Sequence, residues 1–221
     1  MAVLAQLKQR EIRVPAGSLL IHEGQASTRV YTMLDGWAYR FRTLANGRRQ
    51  ILDFVLAGDF VGAQHALIGN AWHGVRTLTD ATFCVFGREL LTDASRLSST
   101  LSNDACVLIA HECSALEEQL LSLGQRTALE RVAALLLITF RRAAALQVDR
   151  GASGVFFPAT QQDIADTLGL SLVHTNKTMR RLERLTRCSL RRSRLTIEDI
   201  GALSRVANLY SDGRPITRPL L

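Results

Sequence analysis

The residues from Thr160 to Leu185, TQQDIADTLGLSLVHTNKTMRRLERL, constrain this chain more than any other stretch. Thr160, three residues ahead of Asp163, has the form of a capping box, with Pro158 just upstream, and sets a helix start. Ile164, Ala165 and Leu168 give that helix an apolar face. Gly169 falls where the helix must end and turn sharply, a place that favours a residue tolerant of left-handed φ. Ser171 can cap the next helix, whose inward residues are read as Thr175, Met179, Leu182 and Leu185. A small Ala165, a Gly four residues later and Thr175 ten residues later reproduce helix-turn-helix spacing. An apolar residue is usual at the last of these positions, so Thr175 must bury its hydroxyl or bond it back to the helix. The same spacing occurs in proteins that bind no DNA, and charge has to decide.

Charge favours DNA. Between Lys177 and Arg194 lie eight basic residues (Lys177, Arg180, Arg181, Arg184, Arg187, Arg191, Arg192, Arg194) and one acid, Glu183. A solvated helical face more often mixes signs, with acids spaced to pair with bases. An acid-poor cluster suits phosphate contact, where each neutralised phosphate releases counterions. The net charge of +7 is also lopsided: residues 1–124 hold 11 Lys/Arg against 12 Asp/Glu, and residues 125–221 hold 16 against 8. Ser189 to Arg194, followed by Leu195-Thr196-Ile197, reads as a two-stranded wing beside the second helix. Residues near that helix's N-terminus, namely Ser171, Leu172, Val173, His174, Asn176 and Lys177, should face base edges. Asn pairs bidentately with adenine, Lys donates to guanine, and Leu172 and Val173 suit thymine methyls unless one of them packs inward. His174 is either a donor to base or phosphate or a surface histidine of no special role. Arg180, Arg181, Arg191, Arg192 and Arg194 complete the expected DNA contacts.

From Arg10 to about Arg88 the chain reads as short strands: Arg13-Val14, Leu19–His22, Val30–Leu34, Trp37–Thr43, Gln50–Val55 and Thr82–Phe86. Turn signals at Ala16-Gly17, Glu23-Gly24, Asp35-Gly36, Ala45-Asn46-Gly47 and Ala57-Gly58-Asp59 separate them. Such spacing predicts an antiparallel barrel or roll, a form whose interior can hold a small ligand. The stretch from Ser98 to Leu123 is helical in pattern. Cys106, Ile109, Cys113, Leu116, Leu120 and Leu123 follow a 3-4-3-4-3 spacing, an a/d seam, with Glu112, Glu117, Glu118 and Gln119 as a solvated flank. The seam fits either a helix packed on its own core or a dimer interface. Gly124 marks a break, and a second helix runs from Thr127 to about Ala145, apolar over most of its surface. Val148 to Pro158 is a loop with a strand-like run, Val155-Phe156-Phe157.

Other chemistries find little support. Cys84, Cys106, Cys113 and Cys188 show no CxxC pair and no zinc-finger spacing, so no structural metal is expected. There is no carboxylate pair, nucleophile–base arrangement or Gly-rich phosphate loop, and no catalytic residue is expected. Met1 to Arg10 lacks a signal-peptide pattern, and the longest apolar stretch, Val132 to Phe140, is too short to cross a bilayer. The expectation is a cytoplasmic protein with reduced thiols and no membrane partner.

Taken together the chain resembles the CRP/FNR family of bacterial transcription regulators over nearly its whole length. The likeness rests on the Gly-punctuated roll (Gly17, Gly24, Gly36, Gly58-Asp59), the seam helix, and LGLSLVHTNKTMRRLERL followed by the basic wing. It implies an α+β fold: an antiparallel β-roll of the cyclic-nucleotide-binding, jelly-roll type (residues 1–97), a long dimerisation helix (98–124) and a winged helix-turn-helix (125–221). It also implies a homodimer, a palindromic operator and contact with RNA polymerase. The family's cyclic-AMP cassette, resembling Gly-Glu-x-x-Leu with a later Arg-Ser/Thr pair, is altered. Ala63 replaces the glutamate, and Trp72 or His73, depending on the gap, replaces the arginine, with Arg76 out of register. Losing both charge-assisted contacts argues against cyclic AMP and leaves the effector, if there is one, an unknown small molecule. No cysteine precedes Cys84, so the N-terminal iron–sulfur cluster of oxygen-sensing members is not expected. A haem variant would need axial ligands such as His22, His65, His73, His111 or a cysteine, each read as an ordinary surface or packing residue, and no cofactor is expected. Cys106 and Cys113 would face their own copies in a parallel dimer, as disulfide partners or as small hydrophobes. The recognition helix has Leu172, Val173 and Lys177 where the two best-known subgroups place Arg-Glu or Val-Glu pairs and an Arg, so its operator should differ from theirs.

Overall fold

The computed structural model describes residues 7–93, 99–146 and 154–209, which form two compact units, one up to Leu116 and one from Glu117. The starts of the expected seam helix at Ser98 and of the loop at Val148 lie outside the described residues.

The first unit is built from eight strands: β1 (Lys8–Val14), β2 (Leu19–Ile21), β3 (Arg29–Asp35), β4 (Ala38–Thr43), β5 (Arg49–Val55), β6 (Phe60–Val61), β7 (Gly74–Thr77) and β8 (Ala81–Gly87). They pair antiparallel into two four-stranded sheets, ordered β1-β8-β3-β6 and β2-β7-β4-β5. Met33, Phe83 and Val85 of one sheet meet Ile21, Ala38, Val55 and Val75 of the other in a shared core. On the far face of the first sheet, Val30, Cys84 and Phe86 form a second cluster with Ala66 and Leu90. Being covered on both sides, β3 is buried at four consecutive residues instead of alternating. Two short helices, α1 (Ala63–Ile68) and α2 (Glu89–Thr92), complete the roll, and helix α3 (Ser99–Gln125) follows.

Several elements differ from the sequence expectation. Strands β6 and β7 and helix α1 were not expected, because two to six residues show no readable period. Strand β1 begins five residues before Arg13, its polar side chains paired in register with β8. Gly124 does not break α3, which continues to Gln125.

The second unit contains α4 (Ala128–Leu146), β9 (Val155–Phe156), α5 (Gln161–Leu168), α6 (Leu172–Thr186), β10 (Cys188–Arg191), β11 (Arg194–Ile197) and α7 (Ile200–Ala207). Thr127 and Glu130 exchange side-chain and backbone hydrogen bonds at the start of α4, a reciprocal cap. Helix α4 buries Val132, Ala133, Ala134, Leu136, Leu137 and Thr139 and so lies at the centre of the unit. Ile164, Leu168, Leu182, Leu195 and Leu203 supply the facing side chains, all at most 2% exposed. Strands β10, β11 and β9 form a three-stranded antiparallel sheet.

A candidate nucleic-acid interface

Helix α5 begins at the expected capping box. The Thr160 hydroxyl oxygen accepts from the Asp163 backbone N–H at 3.1 Å, and the Asp163 carboxylate accepts from the Thr160 N–H at 2.9 Å. The helix ends at Gly169, whose φ of 63° is the left-handed conformation the turn requires. Ser171 then caps α6, its Oγ accepting from the His174 N–H at 3.2 Å. Two local caps and one glycine thus aim α6.

The inner face of α6 carries Thr175, Thr178, Met179, Leu182 and Thr186. Leu185, expected inside, is instead 55% exposed. The inward stripe passes from Leu182 to Thr186, whose hydroxyl donates to the Leu182 carbonyl at 2.9 Å and so can be buried. Thr175 is fully buried and its hydroxyl has no partner. Of the two outcomes open to it, the threonine takes the costlier one.

On the outer face, Ser171, Leu172, Val173, His174, Lys177, Arg180, Arg181 and Arg184 are exposed, and Asn176 is half-buried. Leu172 and Val173 are large apolar side chains at 41% and 64% exposure, so neither serves as packing. Exposed apolar and amide groups at a capped helix N-terminus suit base edges in a major groove.

The wing is the hairpin β10–β11, with Arg191 opposite Arg194 and Arg192-Ser193 at its tip. Both tip residues have positive φ, 49° and 57°, although neither is glycine. The basic run is not uniformly available. The Arg191 guanidinium donates to Glu183 on α6 at 2.5 Å, tying the wing to the helix. Arg187, in the left-handed conformation that ends α6, pairs with Glu198 at 3.7 Å, and Arg194 donates to the Gly154 carbonyl at 3.4 Å. Arg191 is therefore first a brace for the wing. Sequence reading missed this because its partner is eight residues back on another element.

In the roll, α1 starts at Gly62, whose φ is 95° and where an added Cβ would lie 2.7 Å from the Arg29 carbonyl. Trp72 projects outward at 58% exposure, while His73 is buried against the fully buried His65, ring centroids 4.7 Å apart and planes tilted by 55°. Both nitrogens of His65 and Nε2 of His73 lack partners. Burial, reinforced by Arg40, His65 and Arg42, drives the His73 pKa down to about 3, and burial with Arg40 lowers that of His65. Both rings are neutral at ordinary pH. Arg76 donates to the Gly17 carbonyl at 2.7 Å. Arg40 pairs with Asp53 at 3.1 Å and with Glu112 of α3 at 3.2 Å. Among the described residues no group of three or more His, Cys, Asp or Glu is placed to hold a metal ion.

On α3, Cys106 and Cys113 are exposed, as are Ile109 (46%), Leu116 (44%) and Leu120 (73%), while Leu123 is half-buried. The flank is less solvated than expected. Glu112 pairs with Arg40, Glu118 with the buried Arg126, and Gln119 donates to the Thr167 carbonyl, leaving Glu117 as the exposed acid. Burial pushes the Glu112 carboxyl above the usual carboxylate range, with Arg40 opposing the shift.

A β-roll, a long helix and a capped helix-turn-helix with a basic wing together define a DNA-binding transcription regulator. Residues 11–96 match the cyclic nucleotide-binding domain family and residues 130–206 the Crp-like helix-turn-helix domain family. The nitrogen fixation regulation protein FixK of Bradyrhizobium diazoefficiens is 33% identical over 79% of this chain and 72% of its own length. The transcriptional activator protein FnrL of Cereibacter sphaeroides is 30% identical over 96% of this chain and 86% of its own. Among solved structures, FixK2 from Bradyrhizobium japonicum superposes with a TM-score of 0.77 at 22% identity, covering 91% of this chain and 98% of its own. The chain belongs to the CRP/FNR family, whose members regulate transcription and are not known as enzymes. No described helix is long and apolar enough to cross a membrane.

Proposed function

We propose that this regulator acts as a homodimer on a palindromic operator. Two copies pair along α3 through Cys106, Ile109, Cys113, Leu116, Leu120 and Leu123, and each sets α6 into a major groove. The observation that carries the DNA-reading part is the exposed, capped N-terminal end of α6, where Leu172, Val173, His174, Asn176 and Lys177 share an outer face. In this reading Ser171, Asn176 and Lys177 face base edges, Leu172 and Val173 meet thymine methyls, His174 donates to a base or a phosphate, and Arg180, Arg181, Arg192 and Arg194 contact phosphates. Arg191 contributes through its brace to Glu183 as much as through its charge. The division of labour runs over a sensor roll (1–97), a dimerisation helix (98–124) and a DNA-binding domain (125–221). The relatives named as transcriptional activators support RNA polymerase as a further partner and the cytoplasm as the place of action.

The altered cassette, with Ala63 for the glutamate and an exposed Trp72 or a neutral His73 where a nucleotide phosphate would need a cation, supports an effector other than cyclic AMP. The test is selection from a random DNA library with the purified protein, followed by binding at several salt concentrations. An inverted-repeat consensus with a steep salt dependence is expected. A consensus with a single, unrepeated half-site would refute the paired arrangement, and enrichment of no sequence would refute the reading of α6.

A further inference from the structure

We propose that Cys106 and Cys113 form disulfides across the α3 pair when the protein meets a peroxide, locking the dimer covalently. The inference rests on the pairing of α3 proposed above.

Cys106 and Cys113 are seven residues apart and occupy the same heptad position, with Ile109 and Leu116 completing the stripe. All four are exposed in the single chain. In a parallel, in-register pair each seam residue faces its own counterpart. Helix axes packed about 9–10 Å apart, the wider part of the usual range, with Cα atoms on cylinders of about 2.3 Å radius, put facing seam Cα atoms about 4.4–5.4 Å apart. That lies within the roughly 4.4–6.8 Å over which a disulfide closes without backbone movement. Ala110, on the e flank between the two cysteines, is small and exposed and lets the helices approach.

Charge on the flanks also permits the parallel arrangement. Glu112 at a g position would face the counterpart of Glu117 at the following e position, a like-charge clash. Arg40 of the same chain, 3.2 Å from Glu112, offsets that charge.

The other two thiols are poor competitors. Cys84 and Cys188 are buried, and burial raises both pKa values, that of Cys188 to about 12. In the proposed step one seam thiolate attacks a peroxide oxygen, the O–O bond breaks and the sulfur becomes a sulfenic acid. The counterpart thiol then attacks that sulfur, the S–O bond breaks and water leaves. For each disulfide, one hydrogen peroxide is reduced to two waters and two thiols are oxidised.

The experiment treats the full-length protein with hydrogen peroxide and reads it by non-reducing electrophoresis, after sedimentation equilibrium under reducing conditions. The wild type and the single variants Cys106→Ala and Cys113→Ala should cross-link to dimers that dithiothreitol reverses. The double variant C106A/C113A should not, and C84A/C188A should behave as wild type. At dilutions where the reduced dimer dissociates, the oxidised wild type should bind operator about tenfold more tightly or better. A reduced dimer with no cross-link in either single variant would overturn the lock while leaving the seam standing. Cross-links joining Cys106 to Cys113 would overturn the in-register arrangement, and a monomer at every concentration would overturn the pairing itself.

Discussion

The tip of the wing holds two residues in a conformation that suits neither. Arg192 and Ser193 have φ of 49° and 57°, and such hairpin reversals favour Asn-Gly. An L-residue in the left-handed region costs roughly 1–2 kcal/mol. Ser193→Gly removes most of that cost at one position, and after glycine's greater freedom in the unfolded chain is subtracted the net gain is about 0.5–1 kcal/mol. Arg192→Asn adds a few tenths more, because asparagine tolerates the conformation. The double variant R192N/S193G should therefore be about 1 kcal/mol more stable in urea unfolding yet bind DNA more weakly. Losing one phosphate contact lowers the slope of log affinity against log salt by about 0.9, equally on operator and random sequence. Fluorescence anisotropy over a salt series reads this directly, and S193G alone separates the two effects because it should stabilise without altering the slope. If S193G gives no stabilisation, the strain argument fails. An unchanged slope in R192N/S193G would remove Arg192 from the phosphate contacts.

Other expectations follow from buried polar groups and from the two proposed faces. Thr175→Val removes an unpartnered hydroxyl from a fully buried site and should stabilise the second unit by about 1 kcal/mol in thermal or urea unfolding; destabilisation would show that the hydroxyl is satisfied. His73 is neutral in the fold down to about pH 3 but titrates near 6.5 when unfolded, so the unfolded chain binds more protons between those values. Stability from this residue is thus complete above about pH 6.5 and lost as pH falls toward 3, by up to about 4–5 kcal/mol, and His73→Gln should flatten that slope in acid-unfolding curves. Lys177→Ala should weaken operator binding, and Asn176→Ala should relax preference at one position per half-site in a repeated library selection; losses equal on random DNA would contradict base reading. Leu116→Glu puts a charge on the seam and should give monomers by sedimentation; an unchanged dimer would rule α3 out as the interface.

Which features could be read in advance depended on how local their causes are. The cap at Thr160, the turn at Gly169 and the cap at Ser171 are each decided within three or four residues, and each formed as the sequence implied. Leu185 was misplaced because period alone cannot foresee that Thr186 will satisfy its own hydroxyl on the Leu182 carbonyl and take the inner position. The contact between His65 and His73 crosses a turn between a six-residue helix and a four-residue strand, neither long enough to show a period. Arg40 and Glu112 are 72 positions apart, and nothing near either one announces the other.

That last pair reaches beyond the roll. In the proposed dimer, Arg40 stands on a strand of the roll and not on the rod, yet its charge bears on whether two glutamates can lie side by side where the rods meet. A genetic screen for chains that fail to associate would then return a strand residue among the leucines, and mapping hits onto the rod alone would mistake a counterion for a misfolding mutant.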